Sequence, residues 1–241
     1  MESGAPFARN GFEERGMSET LYELTDVERK FVVGGSEVRA VDGISFAIER
    51  GEFVAIEGPS GSGKSTMLQL LGGLDRPSGG NVTLNGKELS KLSDRELTTV
   101  RSRDIGFVFQ QFNLIPTLTA LENVEVAMVP RGVAKAERRK RAEELLDRIG
   151  LGHRHAHLPT LLSGGEQQRV AICRALANKP SVILADEPTG NLDSKTAEEV
   201  VETLGSLATD DNVTVIIVTH AEDVASKTHR RLKMRDGKLV D

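Results

Sequence analysis

Gly58-Pro59-Ser60-Gly61-Ser62-Gly63-Lys64-Ser65-Thr66 is the stretch from which the rest of the chain can be read. It matches the pattern G-x-x-x-x-G-K-[ST], lying between the apolar run Phe53–Ile56 and the helical pattern of Met67–Leu71. A strand feeding a glycine-rich loop that opens a helix presents successive backbone N–H groups to an anion. The glycines let the backbone come close to phosphate oxygens. Lys64 is spaced to reach the outer phosphates as a point charge, and the Ser65 hydroxyl to ligate Mg²⁺. At average residue frequencies such a match arises by chance in roughly one chain in a hundred of this length. The stretch predicts a nucleotide-binding domain with strand–loop–helix organisation.

Working outward, Val38–Val41, Ile44–Ile48 and Phe53–Ile56 are short apolar runs separated by polar turns, and predict strands. Gly72 and Gly73 stop the helix that starts at Lys64. Val82–Leu84 followed by Asn85-Gly86 reads as a strand entering a tight turn. Ile105–Phe109, Val182–Ala185 and Val213–Val218 are further core-strand candidates, and Ala197, Val200, Val201, Leu204 and Leu207 repeat at helical spacing. Strands alternating with helices predict a mainly parallel α/β core. Between them, Ala142, Leu145, Leu146 and Ile149 mark a helix in a mostly helical insert. Arg231–Met234 and Leu239–Val240, around Asp236-Gly237, predict a closing hairpin.

Asp186 and Glu187 follow the apolar run Val182–Ala185, so both carboxylates emerge at the C-terminal end of a predicted strand. Beside a phosphate cradle, Asp186 is placed to support Mg²⁺ and Glu187 to polarise an attacking water. An ordinary acidic turn is the alternative. Gln110 and His220 also follow predicted strands. Parallel strands would bring both to the same edge, Gln110 to bind the metal or water and His220 to bind the phosphate or water. Either is equally readable as a surface turn residue.

Leu162-Ser163-Gly164-Gly165-Glu166-Gln167 has the Ser-x-x-Glu spacing of a helix capping box. Capping accounts for Ser163 and Glu166 but not for two glycines in a first turn, where they lower helix propensity. A ligand phosphate closing on the helix start would account for them. With the segment's own half of the fold offering nothing to bind, a second copy of the chain or a close relative is the expected source of that phosphate.

Together, LSGGEQ and GPSGSGKST make the chain resemble the nucleotide-binding subunit of an ABC transporter, over roughly Leu21 to Asp241. Ile183–Glu187, Asn191-Leu192-Asp193, Gln110 and His220 fit the same family, and Phe107–Val124 with Leu184–Asp193 resemble its lipoprotein-release, macrolide-export and cell-division branch. The resemblance implies a P-loop fold with a mainly parallel core sheet, an N-terminal antiparallel β subdomain and a helical signature subdomain at about 112–177. It implies two such domains closing head to tail around two Mg-ATP molecules and driving an integral membrane permease. Ser163 and Gly165 of one subunit would contact the phosphate held by Lys64 of the other, and Asp193 would couple the two sites. Glu187 would act as general base, His220 would orient phosphate and water, and Gln110 would sense Mg-ATP. Phe31 stands where the family usually stacks a tyrosine on adenine, and Cys173 where it commonly has a small alanine. The segment Gln111–Ala120, with Phe112, Leu114, Ile115 and Leu118, is read either as a groove for a permease helix or as core.

Composition bounds the alternatives. The 241 residues carry a net charge of -5, which gives no support to bulk nucleic-acid binding. Cys173 is the only cysteine, so no intrachain disulfide forms, in keeping with a reducing compartment. No run approaches the ~20 apolar residues of a membrane-spanning helix, so contact with a membrane is expected through partner proteins or peripheral surfaces; the resemblance implies the inner, cytoplasmic face, through permease subunits. Residues 1–20 read as a flexible leader. His153, His155 and His157 lie in a loop without a fourth ligand and are not read as a metal site, and Arg138–Arg141 reads as a solvated helix face. A soluble ATPase of the same family, acting on DNA or in translation, is the competing function.

Overall fold

The architecture comes from a computed structural model that describes residues 19–240. The expected leader, all but its last two residues, lies outside the described residues. Strands β1 (Thr20–Val33) and β2 (Ser36–Glu49) form a long antiparallel hairpin. β1 also pairs with β4 (Gly79–Leu84), and β5 (Lys87–Glu88) completes a four-stranded antiparallel sheet in the order β2-β1-β4-β5. Asn85 and Gly86 join β4 to β5 with positive φ at both positions, 50° and 72°, as a two-residue hairpin turn demands.

The second sheet has six strands. β3 (Phe53–Glu57), β6 (Ile105–Phe109), β7 (Val182–Asp186), β8 (Thr214–Thr219), β9 (Arg230–Arg235) and β10 (Lys238–Val240) lie in the order β10-β9-β3-β8-β7-β6. All neighbours are parallel except the terminal β9–β10 hairpin. Successive side chains of a strand point to opposite faces, and the core divides accordingly. Ala55, Ile183, Ala185, Val215 and Ile217 join a cluster with the helical residues Leu145, Leu146, Ile172 and Leu204. Their neighbours Val54, Ile56, Val182, Leu184, Ile216 and Val218 face the antiparallel sheet and Met67, Leu70 and Leu71. Burial on both faces explains why these strands read as unbroken apolar runs. Each such side chain, once buried, stabilises the fold by roughly 1.5–3 kcal/mol.

Helix α1 (Lys64–Leu71) starts from the glycine loop, and the buried Tyr22 hydroxyl donates to the carbonyl of Leu71 at 2.8 Å, tying its end to β1. α2 (Asp94–Asp104) precedes β6. Between β6 and β7 lie α3 (Ala120–Glu125), α4 (Lys135–Arg148) and α5 (Gly164–Leu176), with short 3₁₀ turns between them. α6 (Ser194–Asp210) follows β7, and α7 (Glu222–Ala225) follows β8. Because β3, β6, β7 and β8 run parallel, their C-terminal ends share one edge, the usual ligand edge of an open α/β sheet.

Candidate nucleotide site

The loop after β3 wraps around a cleft of about 340 Å³ lined by Ala40, Ser60, Gly61, Gly63, Lys64, Ser65, Thr66 and Glu187. Gly58 and Gly63 stand at φ 154° and 100°. A Cβ at Gly58 would strike the carbonyl of Met234, and one at Gly63 the carbonyl of Ala40. Glycine is therefore required twice, for the backbone turn at Gly63 and for clearance at both positions. The loop is pinned from outside, since Gly237 donates its backbone N–H to the carbonyl of Ser62 at 3.1 Å. Lys64 is buried, and its ammonium donates to the carbonyls of Gly58 (2.7 Å) and Pro59 (2.9 Å). A buried cation hydrogen-bonded to neutral carbonyls is a seat for an anion.

Asp186 ends β7, and its Oδ1 accepts a hydrogen bond from the Ser65 hydroxyl at 3.5 Å. Burial, and then the adjacent Glu187 carboxylate, push the Asp186 carboxyl above its ordinary range. A hydroxyl and a carboxylate form a hard-oxygen pair that suits Mg²⁺. Glu187 sits at φ 47°, with its N–H donated to the carbonyl of Val218 at 2.9 Å. This left-handed turn sends its side chain into the cleft, where Oε1 lies 2.7 Å from Nδ1 of the more exposed His220. Gln110 follows β6, as expected, but its side chain is engaged elsewhere. Its Nε2 donates to Asn191 Oδ1 at 3.2 Å, and Asn191 Nδ2 donates to the Gln110 carbonyl at 2.9 Å. The structure thus joins Lys64, Ser65, Asp186, Glu187 and His220 in one constellation, with Gln110 tethered beside it.

Ser163 caps α5 in a complete capping box, at one of the surfaces left open to solvent. The glycines of its first turn have a packing explanation that the sequence did not reveal. A Cβ at Gly165 would strike the Thr196 methyl group, and one at Gly164 would crowd Leu192 at 3.3 Å. Close packing of α5 on the start of α6 therefore accounts for Gly165 without a ligand. Asp193 caps α6 by accepting from the Thr196 N–H (3.1 Å) and hydroxyl (2.6 Å), and the hydroxyl bond chiefly holds its carboxyl below the usual range.

Other expectations met the structure unevenly. Phe31 pairs with Val38 on the β1–β2 hairpin and carries the Arg29 guanidinium 4.5 Å over its ring, while Ala40 is the hairpin residue that lines the cleft. His155 lies 3.2 Å from Asp147, His157 accompanies Arg154, and no metal-binding group occurs among the described residues. Arg139 and Lys140 are exposed, but Arg138 and Arg141 are half-buried and donate to the carbonyls of Val133 and Leu176, so that run is not wholly a solvated face. Cys173 is buried, and burial pushes its thiol pKa up, as a core position demands. Leu114 packs on the core, whereas Ile115 is exposed.

Sequence reasoning missed Gln168, which is fully buried on α5 and donates to the carbonyl of Pro188 at 2.6 Å, just beyond Glu187. It also missed Arg174, whose guanidinium donates to the carbonyls of Phe112 (2.8 Å) and Asn113 (2.5 Å). Those two residues have positive φ, 58° and 50°, directly after Gln110 and Gln111. A polar residue inside the apolar stripe of α5 was the available signal for Gln168.

Comparison with known proteins agrees with this geometry. Residues 41–190 match the family model described as ABC transporter. An uncharacterized ABC transporter ATP-binding protein of Thermotoga maritima is 52% identical over 219 residues, covering 91% of this chain and 93% of that protein. The macrolide export ATP-binding/permease protein MacB of Brucella melitensis is 51% identical over 220 residues, and the chain spans 34% of its length. Among solved structures, the dimeric post-hydrolysis state of the ATP-binding cassette MJ0796, bound to ADP and Pi, superposes with a TM-score of 0.84 at 47% identity. That match covers 92% of this chain and 97% of the other.

Proposed function

The chain belongs to the ABC transporter family and is an ATP-hydrolysing subunit of that family's transport complexes; from this premise we propose that two copies close head to tail over two Mg-ATP molecules and drive an integral membrane permease. The observation that carries the proposal is an open cradle around Lys64 together with an exposed capped helix start at Ser163 on the same chain. The dimeric form of the similar cassette supports it.

In this reading the Lys64 ammonium exchanges the carbonyls of Gly58 and Pro59 for the outer phosphates, and the glycine-loop N–H groups hold the rest. Ser65 and Asp186 would hold Mg²⁺, which offsets phosphate charge when bound. Glu187 takes the proton of the attacking water as that oxygen bonds to phosphorus and the bond to ADP breaks. His220, 2.7 Å from Glu187, keeps the base oriented toward the cleft. Ser163 and Gly165 of the second copy close over the same phosphate, Asp193 lies at the junction, and Gln110 reports occupancy through Asn191. Phe31, on the same hairpin as Ala40, would stack on adenine.

The helical segment 112–177 acts as the arm that meets the permease, with Ile115 at its exposed surface. No helix among the described residues is long and apolar enough to cross a membrane. The working location proposed is the cytoplasmic, inner face of the cell membrane, held there by the permease. Ser163→Arg tests the composite site. It should keep nucleotide binding at Lys64 and lose hydrolysis by about 100-fold or more, whereas near-native turnover would contradict a site shared between copies.

A further inference from the structure

Among the described residues three helices begin with a complete capping box, and the one at Ser163 differs from the other two. At Ser93 the same Glu96 oxygen accepts from the backbone N–H (2.8 Å) and from the hydroxyl (2.6 Å). At Thr119 the Glu122 oxygen does likewise, at 2.8 and 2.9 Å. In both, the hydroxyl proton is committed to the glutamate. At Ser163 the Glu166 carboxylate accepts from the backbone N–H at 2.8 Å, and its other oxygen accepts from Arg154 Nε at 2.9 Å. The Ser163 hydroxyl accepts from the Glu166 N–H at 3.3 Å and makes no donor bond of normal geometry to the carboxylate. The backbone bond to Ser163 does most to depress the Glu166 pKa, followed among the lowering contacts by Arg154 and then by the Ser163 hydroxyl, which stays near the carboxylate without the short donor bond seen in the other two boxes.

Arg154 is itself held in place. It ends a 3₁₀ turn (Gly152–Arg154), its carbonyl accepts from the His157 N–H at 2.9 Å, and its Nη1 lies 3.2 Å from His157 Nε2. The pair is largely shielded, with side-chain exposures of 34% for Arg154 and 14% for Glu166.

We propose that Arg154 is a positioning residue for the site completed by Ser163. It draws the Glu166 carboxylate toward itself, leaves the Ser163 hydroxyl proton for a phosphate oxygen of the nucleotide on the second copy, and offsets the carboxylate charge that phosphate must approach. An anion nearing a helix start is favoured by the dipole but opposed by a fixed carboxylate in the first turn. A guanidinium bonded to that carboxylate removes the conflict while keeping the cap. This rests on the composite-site reading.

The test is a double-mutant cycle on the full chain, with ATP as the probe: native, Arg154→Met, Glu166→Gln and the double variant. The readouts are kcat, KM and nucleotide affinity at the cradle. Arg154→Met should lower kcat about tenfold when Glu166 is present and less than about twofold in the Glu166→Gln background, with cradle affinity unchanged, because only the charged carboxylate needs the arginine. Equal losses in both backgrounds, or no loss in either, would overturn the proposal. If the methionine variant does not fold, Arg154→Gln, which also removes the charge, carries the same cycle with the same outcomes. Ser163→Arg in the same assay separates the two readings: if it turns over normally, the composite site fails, and if it is inactive while the cycle shows no coupling, only the role of Arg154 fails.

Discussion

Glu187 Oε1 and His220 Nδ1 lie 2.7 Å apart at the ends of two adjacent parallel strands, β7 and β8. Thirty-three positions separate them in the chain, and the strand register brings them together. In the proposed mechanism this contact orients the carboxylate that takes the proton. Glu187→Gln keeps the shape and removes the base. Turnover should fall by about 100-fold or more, with ATP binding retained in an equilibrium assay. His220→Ala should lose roughly 10- to 100-fold through a misdirected Glu187.

Asp186 carries the opposite electrostatic burden. Its carboxyl pKa is raised by burial and then by Glu187, so the folded state binds that proton more tightly than the unfolded one. Its contribution to stability is therefore present at low pH and lost as pH rises through the raised value. Asp186→Asn should raise the melting temperature of the nucleotide-free protein at pH 7 and abolish the further rise that Mg²⁺ adds to ATP. A thermal melt series with and without Mg²⁺ checks both.

The helix caps make the acid limit. Glu96 is held below the usual carboxylate range mainly by the Ser93 hydroxyl, and Glu122 and Glu166 mainly by the backbone N–H of Thr119 and Ser163. A lowered folded pKa contributes stability that is full above the ordinary carboxylate value of about 4.3 and is lost as pH falls through the folded one. Denaturant midpoints should therefore decline below about pH 4.5, and Glu96→Gln with Glu122→Gln should flatten that decline.

Gln168 links α5 to the loop that carries Glu187. Replacing it with leucine leaves the Pro188 carbonyl without its 2.6 Å bond in a buried setting. The expected cost is about 1–3 kcal/mol in urea unfolding, together with slower turnover because Pro188 adjoins Glu187. A stable variant with native kcat would show the bond to be ornamental.

Much of this was legible in the sequence, for local reasons. Gly58–Thr66, Asp186-Glu187 and the Ser163 cap are each written in consecutive residues, and the buried strands betray themselves by unbroken apolar runs. What escaped depends on distant partners. Gln168 meets a carbonyl 20 positions away, and Arg174 meets one 62 positions away, across elements whose docking no short pattern encodes. Gly165 was legible as an anomaly but not in its cause, since the Thr196 methyl group that forbids a side chain belongs to another helix. The groove reading of Gln111–Ala120 divides in the same way. Leu114 is committed to the core, and Ile115 is left at the surface.

That division sharpens the permease prediction. Leu114→Asp would damage packing as well as any docking, so Ile115→Asp is the informative change. It should reduce co-purification with the permease by about tenfold while ATP binding by the isolated chain stays native. Undiminished co-purification would remove this segment from the interface.

The central claim is that a second copy finishes the site around Lys64. The most direct measurement is the mass of Glu187→Gln in solution, by sedimentation, with and without Mg-ATP. The account predicts a monomer without nucleotide, a dimer with it, and a nucleotide-bound monomer once Ser163→Arg is added. An ATP-dependent dimer that persists in the Glu187→Gln, Ser163→Arg double variant would contradict it.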